Sequence, residues 1–104
     1  MTLNEYQKAA QRTSPDDHDK LLNGVMGLCG EAGELINLMK KHMYQGHEKD
    51  WPRVVDEVGD CLWYIAEIAS GLSVTLELIA MHNVEKLKRR YPDGFEVSRS
   101  VNRP

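Results

Sequence analysis

The sequence predicts an all-α fold: a bundle of four to five helices in a single domain spanning residues 1–104. Three observations carry this. No stretch alternates apolar and polar residues as a half-buried strand does. Apolar residues instead recur at three- and four-residue spacing through most of the chain. Helix-start and helix-stop residues divide that pattern into segments joined by short connections, as in a bundle.

The first helix is expected from about Leu3 to Arg12. Thr2 and Glu5 have capping-box spacing, and Leu3, Tyr6 and Ala10 share one face. Ser14-Pro15-Asp16-Asp17 then reads as a helix start. Serine caps, proline suits the first helical position, and acids favour the positive end of the dipole. The second helix continues to about Tyr44, where Gly46 stops it. Glycines recur every third residue at Gly24, Gly27, Gly30 and Gly33. Two readings stay open: close approach of a neighbouring backbone or ligand, or a break inside the helix.

The third helix starts near Asp50-Trp51-Pro52 and ends before Gly71. Val54, Val58, Cys61, Leu62, Ile65 and Ala69 give it a helical apolar stripe. Ser73 or Thr75 caps a fourth helix running to about Arg90, and Tyr91-Pro92-Asp93-Gly94 ends it. The tail, about residues 96–104, is polar and expected to be extended.

Composition narrows the function. The net charge of −3 leaves no basic excess to neutralise a phosphate backbone, so nucleic acid is not the expected partner. The two cysteines, Cys29 and Cys61, lie within apolar segments and outside any CxxC pattern, as small buried hydrophobes do in a reducing compartment. The N-terminus has no signal-like apolar region, and no apolar run approaches the ~18 residues of a membrane span. A cytoplasmic protein without membrane contact is expected.

Two carboxylate pairs stand out. Glu31 and Glu34 are three residues apart on the second helix, and so are Glu57 and Asp60 on the third. That spacing puts both acids of each pair on one face, beside an apolar stripe. If the two helices pack antiparallel, four carboxylates converge. Their repulsion in a partly dry site calls for a cation. All-oxygen ligands select a hard ion such as Mg²⁺, Mn²⁺ or Ca²⁺, and a Mg²⁺ ion that keeps several waters usually serves a phosphate substrate. The Glu-x-x-His repeats of di-iron bundles are absent. Acids at this spacing also occur on plain solvated helix faces.

Three segments carry a family resemblance: GLCGEAGEL (27–35), DEVGDCLWYIAEIA (56–69) and NVEKLKRRYPDGF (83–95). In order and spacing they resemble the MazG-like all-α nucleoside-triphosphate pyrophosphohydrolases over roughly residues 20–103. The family motif, EExxE followed by ExxD, has Gly30 in place of its leading acid. Glu31, Glu34, Glu57 and Asp60 match the remaining positions. The resemblance implies a helical bundle, usually dimeric or tetrameric. It also implies Mg²⁺-dependent attack of water between the α- and β-phosphates of a nucleoside triphosphate, giving a monophosphate and pyrophosphate. The four acids are then both metal ligands and catalytic residues, with Mn²⁺ as a possible substitute ion.

Candidate substrate contacts follow. Tyr64 lies one turn after Asp60 and suits a base or a phosphate. Lys41 lies two turns after Glu34 and can reach a phosphate. Asn83 and Lys86 share a face of the fourth helix, where the resemblance puts nucleotide contacts. Asn23 is a further candidate for the base. His18, His42, His47 and His82 show no ligand spacing and read as surface residues. The competing reading is a non-catalytic helical module that binds nucleotide or protein.

Overall fold

The structure, a computed structural model, describes residues 1–103. Among these residues there are five helices and no strand. They are α1 (Leu3–Gln11), α2 (Lys20–Tyr44), α3 (Trp51–Gly71), α4 (Leu76–Arg90) and α5 (Val97–Val101). The all-α expectation holds.

Side-chain caps set most of the starts. Thr2 Oγ1 accepts from Glu5 N at 3.1 Å, Asp50 Oδ1 from Arg53 N at 3.1 Å, and Thr75 Oγ1 from Leu78 N at 3.1 Å. Each satisfies one of the amides a helix leaves open at its first turn. Thr75 is therefore the cap of α4. Ser73 acts at the end of the preceding helix instead, where its positive φ of 57° closes α3 in the left-handed conformation. Gly46, at φ 73°, follows the end of α2 in the same way.

Three local expectations are corrected. The second helix starts at Lys20 under an Asp19 cap, and not at Ser14-Pro15, because the Ser14 hydroxyl is buried and donates to Glu67. Leu3 is 44% exposed, so of the three apolar residues expected on the inner face of α1 only Tyr6 and Ala10 pack in the core. The tail is not wholly extended, since it contains the short helix α5; its last residue, Pro104, lies outside the described residues.

The main packing is the antiparallel pair α2–α3. Two glycines make it close. A methyl group on Gly24 would lie 2.6 Å from Ile68 Cγ1, and one on Gly27 would lie 2.1 Å from the Tyr64 ring. Near the end of the pair, Gly71 meets the Leu21 backbone equally tightly. Gly30 and Gly33 face open space, and α2 runs unbroken through all four. The close-approach reading thus holds for the first two glycines only.

The core sits at the end of this pair where α2 begins and α3 finishes. Ala10 of α1, Ala66 and Ala69 of α3 and Leu76 of α4 are buried, with Tyr6, Trp63 and Ile79 against them. Gln7 braces the α3–α4 turn: its amide donates to Val74 O and Ser70 Oγ, and its oxygen accepts from Leu76 N. Beyond that turn α4 leaves α3 at 98°. No single described helix is long and apolar enough to cross a membrane.

Candidate active site

One stripe of α3 carries Arg53, Glu57, Asp60, Tyr64 and Glu67 at alternating spacings of four and three residues, which keeps them on one face. The facing stripe of α2 carries Gly27, Glu31, Glu34, Leu38 and Lys41. Antiparallel packing zips the two stripes into a seam, with Gly27 against Tyr64 and Glu31 beside Glu57 and Asp60.

The acids meet in the middle of the seam. Carboxylate oxygens of Glu31, Glu57 and Asp60 lie within 4.8 Å of one another. Glu31 is pushed up to about 7. The largest cause is hydrogen bonding with Glu57, followed by burial and then by repulsion from Glu57, Asp60 and Glu34. Glu57 Oε2 is buried and has no hydrogen-bond partner. A buried acceptor without a donor is costly, and a cation is the partner that would relieve it. The donor set, all oxygen, with Glu31 and Glu57 half-buried and Asp60 exposed, fits a hard divalent ion.

Glu34 is exposed and stands outside the three-carboxylate cluster, close enough to add to the repulsion on Glu31. Tyr64 lines an open cleft of about 320 Å³ with Glu31, Asp60 and Trp63. Its ring meets Trp63 edge-on at 5.0 Å. Tyr6 of α1 faces the same region: burial raises its hydroxyl pKa, and the Asp60 charge adds to the shift. Lys41 lines a separate pocket at the loop end of the α2–α3 hairpin. Asn83 is exposed and Lys86 half-buried on α4; neither lines the acidic cleft of its own chain.

A fifth acid of this stripe escapes a reading based on pairs. Glu67 is completely buried. It accepts from Ser14 Oγ at 2.5 Å, Gln11 Nε2 at 3.1 Å and Asn23 Nδ2 at 2.7 Å, and pairs with His18 Nε2 at 3.1 Å; Lys20 Nζ lies 3.9 Å away. Burial alone would raise its pKa. The hydrogen bonds from Ser14, His18, Asn23 and Gln11 outweigh burial and hold it at about 2. His18 is therefore not a plain surface residue, and the Asn23 amide is committed to Glu67. The sequence signal was present: Glu67 is seven residues after Asp60, on the seam face, with Ala66 and Ala69 beside it.

Similarity to known proteins points the same way. The family model "MazG nucleotide pyrophosphohydrolase domain" matches residues 19–95. The chain is also 32% identical over 114 residues to the Gene 37 protein of Mycobacterium phage L5, covering 99% of this chain and 100% of that relative. No solved structure matches it.

Proposed function

The chain belongs to the MazG nucleotide pyrophosphohydrolase domain family, and from that premise we propose that it is a Mg²⁺-dependent nucleoside-triphosphate pyrophosphohydrolase. It cleaves between the α- and β-phosphates, releases a nucleoside monophosphate and pyrophosphate, and removes unwanted nucleotides from a cytoplasmic pool. The single observation that carries this is the knot of three mutually repelling carboxylates with one buried, unpartnered oxygen.

Glu31, Glu57 and Asp60 would hold the ion. When bound, a divalent cation supplies positive charge to the phosphates and lowers the pKa of water. Glu34, exposed and outside the cluster, is free to take a proton from the attacking water. That water forms the new bond to the α-phosphorus while the bond to the bridging oxygen breaks and pyrophosphate leaves. Tyr64 is at hand beside Glu31 and Asp60 to donate to a phosphate.

The proposal includes a homodimer or a dimer of dimers. A compact chain of this length has a radius of gyration of about 13 Å, and this one has 16.9 Å. Ile36 and Met43 on α2 and Met81 and Val84 on α4 are exposed, and burying them between copies is the ordinary remedy for a small core. Asn83 and Lys86 would then meet the nucleotide from a second copy.

A pyrophosphate-release screen over the common NTPs and dNTPs tests the proposal. Release with Mg²⁺, its loss with EDTA and its return on adding the ion are the expected results. No release from any nucleotide, or release indifferent to EDTA, refutes it. Light scattering that reports a monomer at micromolar concentration refutes the assembly.

A further inference from the structure

Tyr64 is held by more than its own helix. Gly27 packs against its ring from α2, where an added methyl group would fall 2.1 Å from a ring carbon. Its other aromatic neighbour is Trp63, half-buried, which meets it edge-on with centroids 5.0 Å apart and planes at 84°. Both rings line the cleft beside Glu31 and Asp60. Where the Trp63 ring stands therefore bears on where the Tyr64 hydroxyl can stand.

The last side-chain torsion of a tryptophan is broad and roughly two-fold, so packing alone leaves the ring a choice. Here a polar anchor makes it. The indole N–H donates to Thr13 Oγ1 at 2.8 Å and to Ala10 O at 3.1 Å. The Thr13 hydroxyl in turn donates to Ala10 O at 2.8 Å, which closes a triangle of three polar groups at the end of α1. One turn further along α3, Glu67 accepts from Gln11 and Ser14, so the stretch that carries the anchor is clamped to α3 a second time. Ala10 and Thr13 both precede residues 19–95, the part of the chain that matches the family model.

We infer that Trp63 is a positioning residue. Anchored through its N–H to the end of α1, it fixes the Tyr64 ring and so aims the Tyr64 hydroxyl at a phosphate beside the acids. The end of α1 is then part of the framework of the site. The inference rests on the reading of the acidic cluster as a pyrophosphohydrolase site with Tyr64 as a donor to its substrate.

A double-mutant cycle in KM tests it, since KM does not depend on how much of a preparation is folded. Thr13→Val puts a methyl group where the hydroxyl lay 2.8 Å from the indole nitrogen. A carbon atom needs about 3.5 Å, so the indole must shift. Tyr64→Phe keeps the ring and removes the hydroxyl. A hydrogen bond to a charged group contributes roughly ten- to hundred-fold, and Tyr64→Phe should raise KM for the preferred NTP by that order. Thr13→Val should raise it roughly three- to thirty-fold, as a partial loss of the same bond. In the Tyr64→Phe background, Thr13→Val should change KM by less than about two-fold, because the group it misplaces is gone. Thr13→Ser keeps the hydroxyl and should keep the wild-type KM.

A Thr13→Val variant with wild-type KM, or the same factor in both backgrounds, overturns the inference; a role in stability alone gives one or the other. A Thr13→Ser variant that behaves like the valine variant also overturns it. So does Tyr64→Phe with an unchanged KM, while the hydrolase reading stands. Wild-type protein that releases pyrophosphate from no common NTP or dNTP overturns the reading of the acids, and this inference with it.

Discussion

Two groups of carboxylate lie along the α2–α3 seam, and they are opposites. Glu67 is fully buried yet surrounded by donors from α1, the following loop and α2, and its pKa falls to about 2. Glu31, Glu57 and Asp60 are less buried but face one another; Glu31 rises to about 7, and an oxygen of Glu57 has no partner. Burial does not separate the structural acid from the acids proposed to act here. Satisfaction of the acceptor does. A carboxylate whose lone pairs are filled by the chain has nothing left to offer a ligand. A carboxylate held against its own kind stores an unmet demand for positive charge.

The comparison can be broken by substitution. Glu34→Gln, Glu57→Gln and Asp60→Asn should each cut turnover by roughly 10²-fold or more, the first by removing the proposed base and the other two by removing charge from the proposed metal site. Thermal unfolding of the Glu57 and Asp60 variants should be unchanged or shifted upward, since repulsion is relieved. Wild-type turnover in all three would contradict the assignment.

Glu67→Gln should do the reverse. The amide keeps the shape but brings an NH₂ group among donors, and leaves His18 and Lys20 only the exposed Asp17 and Asp16 as counter-charges. A loss of about 3 kcal/mol in denaturant unfolding is expected, with kcat of the folded fraction within a few-fold of wild type. A stability loss below about 0.5 kcal/mol would mean that water satisfies the donors.

Acidity sharpens the contrast further. The folded-state pKa of Glu67 is depressed, so its contribution is fully present above the ordinary glutamate range, near 4.5, and is lost as pH falls towards about 2. His18 is raised, by its hydrogen bonds to Glu67 and then Asp17. Its contribution is full below its ordinary value of 6.5 and fades as pH rises through the folded value. Docking of the N-terminal segment should be firmest between these limits. Hydrogen exchange of the α1 amides against pH measures this; a Glu67→Gln variant should lose the acid limb of the profile.

The smallest effect concerns Tyr64, which stands between the two groups. Gly27→Ala forces a methyl group into its ring and should cost about 1–3 kcal/mol by overpacking, with reduced activity. Gly33→Ala meets nothing and should gain about 1 kcal/mol from helix propensity. Equal effects of the two substitutions in thermal unfolding would remove the special role of the Gly27 contact.

What the sequence made legible follows from range. The ExxE and ExxD spacings are one-turn relations, so the acids could be put on helix faces before any tertiary contact was known. The caps at Thr2, Asp50 and Thr75 are equally local. The place of Glu67 on the seam face was legible but its role was not, because its donors come from positions 44 to 56 residues earlier in the chain. The same contact explains the misplaced start of the second helix. Ser14-Pro15-Asp16-Asp17 is a strong local start signal, but the buried bond to Glu67 takes the serine that would have capped it. The pocket that Lys41 lines is built partly by the connection between α2 and α3, which no periodicity reports.

The Gln7 brace and the Glu67 hub have a consequence in time. Both join the first fourteen residues to partners far along the chain; the Gln7–Val74 bond spans 67 positions. The α2–α3 hairpin is joined by a six-residue connection and closes over a short distance in sequence. Short-range pairing forms early in folding and long-range pairing late. The hairpin should therefore nucleate the chain, and α1 should dock after the rate-limiting step. Substitutions at Gln7 or Glu67 would then leave the refolding rate nearly unchanged and speed unfolding, whereas Gly24→Ala, at a close approach within the hairpin, would slow refolding itself.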